Sequence, residues 1–324
     1  MPFSTLVTPT LRTVTLSRQG APVIRFRLGT RGSPLALVQA GLVRAALAAA
    51  HSWREDEIET VIVRTTGDRV QDRPLAEIGG KALWTRELDR ALLDGEVDAC
   101  VHSMKDVETI RPHAIALAAT LPRADVRDRL IGAASIAALP DAATVGTSSP
   151  RRRAQLLALR PDLHVVTLRG NVDTRLAKLT AGEVDATLLA AAGLDRLGRD
   201  VGVPIATDEM LPAPAQGAVG VEVRAGDPQA IAAVAAIGDP ATFACVLAER
   251  ALLAALKADC HSPVAALASL AGETLLLRAV LYAEDGSDQI SGQVEGALGD
   301  DLGGTLAADL LTRAPTRVRT LFGG

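Results

Sequence analysis

The chain has 324 residues, a net charge of −4 and 48% hydrophobic residues. This length favours two or three compact units, and the apolar fraction excludes a disordered or fibrous chain. The acidic balance and the 2% of aromatic residues argue against a nucleic-acid partner, because such proteins present basic stripes or stacking faces. We expect no apolar run of membrane-spanning length, and therefore no membrane partner.

The cysteines and the N-terminal segment bear on the compartment. Cys100, Cys245 and Cys260 form no C-x-x-C pair, and the five histidines are scattered, so no metal site is predicted. An odd number of thiols without a secretory signal indicates a reducing compartment, which we take to be the cytoplasm. Residues 1–23 are interpreted as a disordered extension. An upstream start codon or an organelle transit peptide remain alternatives.

Two segments share one succession of elements. A strand predicted over Val23–Leu28 leads through a Gly- and Ser-containing turn into a helix over Leu35–Ala50. Ser33 takes the N-cap position and Pro34 the first helical position, which is a typical helix start. A strand over Ala143–Val145, a Ser-rich turn and a helix over Ala154–Leu159 repeat the pattern.

The pentapeptide GEVDA also occurs twice, at 95–99 and at 182–186. Together with the repeated helix starts, it predicts two related α/β domains with mixed or mostly parallel sheets. The first copy is longer, and its excess falls around Thr65–Leu88. We expect an inserted loop or hairpin there, in which Asp68–Gly80 acts as a mobile lid.

The remaining segments complete the domain organisation. Ala119–Arg129 is predicted to cross between the domains, and Pro204–Gly217 to return, so that the strand Ala218–Val223 joins the first domain. A small α+β domain follows, with a helix over Thr242–Leu256, strands over Glu273–Ala283 and Gln289–Glu295, and a helix over Leu302–Arg313. The predicted boundaries are 1–23 for the extension, 24–121 and 218–236 for domain 1, 122–217 for domain 2 and 237–324 for domain 3.

Arginines gather at predicted loop–helix junctions and strand ends. They are Arg31, Arg151, Arg152, Arg153, Arg169, Arg175 and Arg196. Helix N-termini attract anions, and arginine binds carboxylates with two parallel hydrogen bonds. This pattern predicts a cleft for a polyanionic small molecule. A set of solvated arginines that reflects only coding bias is the alternative.

Two short segments hold reactive side chains. His102, Lys105 and Asp106 follow an apolar strand, where sites of α/β proteins usually lie, and a carboxylate there suits acid–base work or cation stabilisation. Cys260 lies in a loop beside His261 and suits a nucleophile or an attachment point. A polar turn and a lone half-buried thiol are the plainer interpretations.

Taken together, these segments resemble the porphobilinogen deaminase (hydroxymethylbilane synthase) family, from about Ile24 to the C-terminus. The motifs that carry the resemblance are GTRGSPLAL at 29–37, IGGKAL at 78–83, VHSMKDV at 101–107, VGTSS at 145–149, LRGN at 168–171, TRL at 174–176, AAGL at 191–194, QGAVG at 216–220 and Cys260.

The resemblance implies an α/β enzyme with two periplasmic-binding-protein-like domains that have mixed sheets, plus a small C-terminal α+β domain. It implies a monomeric transferase that condenses four porphobilinogen molecules head to tail into hydroxymethylbilane, with release of ammonia, in haem and chlorophyll synthesis. It also implies a dipyrromethane cofactor, joined by a thioether to Cys260.

The resemblance assigns roles to single residues. Asp106 would be the catalytic carboxylate, which hydrogen-bonds pyrrole N–H groups and stabilises the positive azafulvene formed as ammonia leaves. Besides Cys260 and Asp106, the expected cofactor contacts are Lys105, Ser33, Ser148, Arg151, Arg152 and Gly170. The expected substrate contacts are Arg31, Gln39, Arg169, Arg175, Arg196 and Lys81. Glu77 departs from the family pattern, since many members have lysine there.

A non-catalytic anion-binding module is the alternative class. A solute receptor would carry a secretory signal and a regulator would carry a DNA-binding domain, and the sequence shows neither. Neither class needs the HSMKD segment together with a loop cysteine, so an enzyme is favoured.

Overall fold

A five-stranded mixed sheet forms the centre of the first domain. The computed structural model describes residues 23–64 and 85–322. The strands of this sheet are β1 (Phe26–Thr30), β2 (Ile58–Ile62), β3 (Ala99–Ser103), β4 (Ile115–Thr120) and β10 (Val219–Arg224), in the order β2-β1-β3-β10-β4. β1 runs parallel to β2 and β3, whereas β10 is antiparallel to both of its neighbours.

The second sheet repeats this arrangement. Its strands are β5 (Asp128–Ile131), β6 (Thr144–Gly146), β7 (His164–Val166), β8 (Ala186–Ala190) and β9 (Val203–Pro204), in the order β7-β6-β8-β5-β9. β6 runs parallel to β7 and β8, and β5 is antiparallel to both neighbours. The two sheets are therefore built alike, which confirms the internal repeat.

Helices cover both sheets: α1 (Pro34–His51), α2 (Arg86–Leu93), α3 (Pro150–Leu159), α4 (Val172–Thr180), α5 (Ala191–Arg196) and α6 (Pro228–Ala235). The Ser33 hydroxyl accepts a hydrogen bond from the Ala36 N–H at 3.3 Å, which confirms the predicted N-cap. The prediction that the second helix starts at Ala154 is wrong. α3 starts at Pro150, because Ser149 caps it and proline suits the first helical position.

The helix α1 contradicts the expectation that no apolar run reaches membrane-spanning length. Within the described residues it is long and apolar enough to cross a membrane by length and composition, and α6 with the helix after it would qualify only as one bent span. The buried face of α1 includes Ala40, Val43 and Leu47, which pack on the first sheet with Leu28 and Val221. Its many alanines raise the hydropathy of what is also a core helix.

Two chain segments join the domains, 121–127 and 205–218. They are hydrogen-bonded to each other, since the Ala124 N–H donates to the Gly217 carbonyl at 3.3 Å. Gly217 has a φ of +85°, and a Cβ there would lie 2.5 Å from the Ala124 oxygen, so only glycine fits. The second segment leads into β10, which lies between β3 and β4 as expected for a returning strand.

The third domain packs its helices on an antiparallel sheet. Its elements are α7 (Pro240–Ala255), β11 (Val264–Ala271), β12 (Thr274–Tyr282), β13 (Gln289–Ala297), α8 (Leu302–Arg313) and α9 (Thr316–Arg319), with the strand order β11-β12-β13. The predicted strands and last helix are present. β11 was not predicted, because its alanine-rich sequence lacks the β-branched residues that mark strands. The fold class is confirmed.

Candidate active site

A small cleft lies at the carboxyl ends of β1 and β3. It is lined by Arg31, Ser33, Gln39, Ser103 and Asp106, among other residues. β1 and β3 run parallel, so their ends lie at one edge of the sheet although they are far apart in sequence. The buried Gln39 side chain donates from Nε2 to the Ser103 hydroxyl at 2.7 Å, which fixes α1 against β3.

Lys105 and Asp106 lie in a single 3₁₀ turn, Met104–Asp106, directly after β3. Met104 anchors this turn, because its side chain is buried and its N–H donates to the Ala218 carbonyl at 3.1 Å. Gly220 makes room for it, since a Cβ there would lie against the Met104 sulfur. The Asp106 carboxylate is exposed on the rim of the cleft.

Lys105 faces the segment that returns from the second domain. Its ammonium group donates to Gln216 Oε1 at 3.3 Å. Burial lowers the pKa of Lys105 to about 8, although the carboxylates of Asp106 and Asp128 partly oppose this shift. Gln216 is fully buried and donates to the Val126 carbonyl at 2.7 Å and to Asp128 Oδ1 at 2.8 Å. Gln216 was not among the predicted site residues.

Asp128 pairs with the two arginines at the start of α3. Asp128 Oδ2 accepts from Arg151 Nη2 and Oδ1 from Arg152 Nη2, each at 2.7 Å. The other terminal nitrogens donate to the Leu211 and Leu188 carbonyls. All three side chains are buried, and the Nε atoms of both arginines are buried without a partner among the described residues.

Arg175 lies beside this group. It donates from Nε to the Gly170 carbonyl at 2.9 Å and from Nη2 to the Ser148 hydroxyl at 3.5 Å. Burial and the like charges of Arg152 and Arg169 lower the pKa of Arg175 to about 10, while Asp106 acts in the opposite direction. The site thus brings together Ser148, Gly170 and Arg175.

Two predicted locations are wrong. Arg175 lies inside α4 and Arg196 at the end of α5, rather than at strand ends, while Arg169 is in the loop before α4. Arg196 donates to the Gly217 carbonyl at 2.8 Å, and its burial lowers its pKa. Its guanidinium is therefore bound to the segment that returns to the first domain.

Cys260 lies in the loop between α7 and β11. The residue is exposed, whereas Cys100 and Cys245 are buried, as their apolar surroundings in the sequence predict. Surrounding protein atoms and the carboxylates of Asp259 and Asp106 raise the pKa of the Cys260 thiol to about 12. The loop of Cys260 also contacts the segment after Asp106, because the Thr109 hydroxyl donates to the Ala258 carbonyl at 2.8 Å. The predicted lid Asp68–Gly80, together with Glu77 and Lys81, lies outside the described residues.

A second depression, of about 520 Å³, lies at the opposite end of β10. It holds none of the predicted site residues. Arg224, which lines it, is paired with Asp227 at 2.7 Å. The site chemistry therefore belongs to the cleft beside Asp106.

Cations are concentrated next to the cleft. Lys105, Arg151 and Arg152 are linked to one another through Gln216 and Asp128, and Arg31 lines the cleft together with Asp106. Such a concentration of cations, partly desolvated, suits a ligand with several carboxylates. The chain therefore combines two large α/β domains, whose buried arginines suit an anionic ligand, with a third domain that presents an exposed cysteine.

Comparison with known proteins defines the family. Residues 26–232 match the family model described as "Porphobilinogen deaminase, dipyromethane cofactor binding domain", and residues 243–312 match "Porphobilinogen deaminase, C-terminal domain". The porphobilinogen deaminase of Sphingopyxis alaskensis is 54% identical, over 92% of this chain and 96% of the relative. That of Paracoccus denitrificans is 51% identical, over 90% and 95%. The chain belongs to the porphobilinogen deaminase family.

Among solved structures, the BvgS periplasmic VFT2 domain of Bordetella pertussis is similar, with 13% identity and a TM-score of 0.39, over 67% of this chain and 87% of that one. A putative periplasmic sulfonate-binding protein of Methylobacillus flagellatus has 16% identity and a TM-score of 0.36, over 66% of each chain.

Proposed function

We propose that the chain is a transferase that condenses four porphobilinogen molecules head to tail into hydroxymethylbilane, with release of ammonia. The observation that carries this proposal is that the segment after Asp106 is hydrogen-bonded to the loop of Cys260, through Thr109 and Ala258 at 2.8 Å, beside a cleft that Asp106 and Arg31 line. Family membership supports it over the alternative of a non-catalytic anion-binding module. Tetrapyrrole synthesis would be the pathway served.

The residues fit a dipyrromethane group held by a thioether to Cys260. Each pyrrole of that group carries an acetate and a propionate, and the unpartnered Nε atoms of Arg151 and Arg152 leave two buried N–H donors without an acceptor among the described residues. Unsatisfied buried donors are costly, so an incoming carboxylate would stabilise them. When bound, the group supplies the pyrrole carbon from which the product chain grows.

Asp106 is the proposed catalytic residue. Its exposed carboxylate would accept hydrogen bonds from the pyrrole N–H groups of the substrate and stabilise the positive charge that develops as ammonia leaves. It would also relay protons, to the departing amine and from the α-carbon of the pyrrole. Lys105, with a pKa of about 8, is mostly protonated at neutral pH and keeps a cation next to this carboxylate.

The expected ligand contacts fall into two groups, those to the cofactor and those to the substrate. We assign Lys105, Ser33, Ser148, Arg151, Arg152 and Gly170 to the cofactor, and Arg31, Gln39, Arg169, Arg175 and Arg196 to incoming substrate. The terminal nitrogens of Arg151 and Arg152 are already bound within the protein, so these arginines would act through Nε and through their charge.

We also propose that the chain acts as a cytoplasmic monomer, from its three thiols and from the family resemblance. Sedimentation of the purified holoenzyme at micromolar concentration checks the monomer, which a dimeric mass would contradict. Fractionation of the source cells checks the compartment.

Intact-mass measurement tests the proposed function. The wild type should exceed its sequence mass by two pyrrole units, and Cys260→Ala should not. Cys245→Ala is the matched control, because Cys245 is a buried thiol outside the site and its variant should keep the added mass. Wild type and control should release ammonia from porphobilinogen. An active wild type of unmodified mass contradicts the covalent cofactor, and binding of porphobilinogen without ammonia release supports the receptor.

A further inference from the structure

α7, the helix that leads to Cys260, packs under the turn that carries Asp106. Val246 on α7 is fully buried and packs in one cluster with Met104 and Val107, which lie on either side of Lys105 and Asp106. Arg250 follows Val246 by four residues, so both side chains project from the same face of the helix. This face of α7 therefore places an apolar side chain, Val246, and a charged one, Arg250, against the turn that carries Asp106.

Arg250 binds the backbone that follows Asp106. Its Nη1 donates to the Val107 carbonyl at 3.3 Å, and its Nη2 donates to the Glu108 carbonyl at 2.6 Å and to the Thr109 carbonyl at 3.0 Å. Arg250 is half-buried, and this burial lowers its pKa. One planar guanidinium thus fixes three successive carbonyl groups.

Thr109 closes the connection to the cysteine loop. Its hydroxyl donates to the Ala258 carbonyl at 2.8 Å. Ala258 is buried just beyond the C-terminus of α7, where its N–H donates to the Leu253 carbonyl at 2.8 Å, and it precedes Cys260 by two residues. A continuous set of hydrogen bonds therefore runs from the turn of Asp106, through Thr109, to the loop of Cys260.

We propose that Thr109 and Arg250 are positioning residues that set the placement of the Asp106 carboxylate relative to Cys260. This inference rests on the proposed function, in which Asp106 acts on a chain that grows from Cys260. The two groups belong to different domains, so the covalent backbone alone does not fix their separation. Reaction rates fall steeply when a catalytic group is displaced by about 1 Å.

The test compares Thr109→Val, which removes the hydroxyl at nearly constant shape, with Thr109→Ser, which retains it. Thr312→Val is the matched control, because the Thr312 hydroxyl also donates to a carbonyl, that of Ala308, at 2.8 Å and lies on α8. We expect Thr109→Val holoenzyme to lose roughly tenfold in kcat, with KM within about twofold and full cofactor mass, as for a small misplacement of a catalytic group. Thr109→Ser should restore kcat, and Thr312→Val should not lower it.

A double-mutant cycle shows whether the effect passes through Asp106. Asp106→Glu moves the carboxylate by one methylene, so the added loss from Thr109→Val should be smaller in that background than in the wild type. Equal losses in both backgrounds would overturn the inference. Arg250→Lys, which cannot reach three carbonyls at once, should lower kcat with the same unchanged KM.

The outcomes separate the two proposals. A wild type without added mass and without ammonia release defeats the proposed function itself. An active, fully loaded wild type whose Thr109→Val and Arg250→Lys variants keep normal kcat defeats only the positioning role. Loss of cofactor mass or a lowered melting temperature in Thr109→Val, with kcat per loaded enzyme unchanged, also defeats it, because a merely structural contact behaves in that way.

Discussion

Replacement of Asp128 by asparagine should destabilise the protein more than any surface substitution. The carboxylate is inaccessible to water and accepts from Arg151, from Arg152 and from Gln216 Nε2. Asparagine keeps one acceptor oxygen, removes the negative charge and points an amide N–H₂ at donors. Two buried guanidinium groups then lack their counter-ion.

The magnitude follows from the burial of all partners. Removal of one member of a buried ionic group typically lowers the free energy of unfolding by about 3–5 kcal/mol. This is a large share of the roughly 5–15 kcal/mol that stabilises a typical protein. Asp195→Asn is the control, because Asp195 pairs with Arg129 at 2.6 Å but is 46% exposed. Such surface pairs contribute no more than about 1 kcal/mol.

The pH dependence gives a second signature. Burial would raise the pKa of Asp128, but the charges and hydrogen bonds of Arg151 and Arg152 hold it well below its ordinary value of 3.8. A carboxylate with a lowered pKa in the folded state stabilises above its unfolded pKa, and the contribution is lost as the pH falls further. The difference between wild type and Asp128→Asn should therefore be constant near neutrality and shrink below about pH 4. Urea unfolding followed by circular dichroism measures it. Equal stabilities of Asp128→Asn and Asp195→Asn at pH 7 would refute the reasoning.

Three further outcomes are expected. Asp106→Asn should lose about 10² to 10³ in kcat with an unchanged melting temperature, because the carboxylate is exposed and acts on developing charge; a near-normal kcat would exclude that role. Lys105, whose ammonium is present below its pKa of about 8 and lost above it, should give an alkaline decline in kcat that Lys105→Arg removes; identical pH profiles would contradict this. Glu249→Gln should lower the free energy of unfolding by about 3–5 kcal/mol, because this fully buried carboxylate accepts two hydrogen bonds from Arg123, at 2.8 and 3.0 Å. Glu55→Gln, which removes one member of an exposed ion pair, should have little effect in the same urea experiment.

Short-range sequence signals predicted most of the helices and strands. The succession of Ser33 and Pro34 marked the start of α1, because a hydroxyl cap and a fixed φ act within one turn of backbone. The repeated pentapeptide GEVDA indicated two sheets of similar construction, because each copy leads into a central strand, β3 in the first sheet and β8 in the second. By contrast, the alanines of β11 carry no strong preference, and only pairing with β12 makes that segment a strand.

The partners of the site residues could not be predicted. Arg151 and Arg152 stood out in the sequence, but nothing distinguished Asp128 from the nearby Asp125, which pairs locally with Arg127. Burial of Asp128 depends on how the second sheet packs on α3, which is a long-range property. Gln216, Thr109 and Arg250 were missed likewise, because their contacts join segments far apart in the chain.

Buried polar groups join the domains in addition to apolar clusters, and this bears on how the cleft can work. Glu249 on α7 accepts from Arg123 in one crossing segment and from the Ala215 N–H in the other, and it also accepts from the Ala268 N–H of β11 at 2.7 Å. Buried charges contribute little net stability but tolerate misalignment poorly, since a displaced domain leaves them unpaired. We therefore interpret the junction of the crossing segments with the third domain as the fixed part of the molecule. Adjustment of the cleft to a lengthening product would then fall to the place where α1 of the first domain approaches α5 of the second, near Leu35 and Gly193.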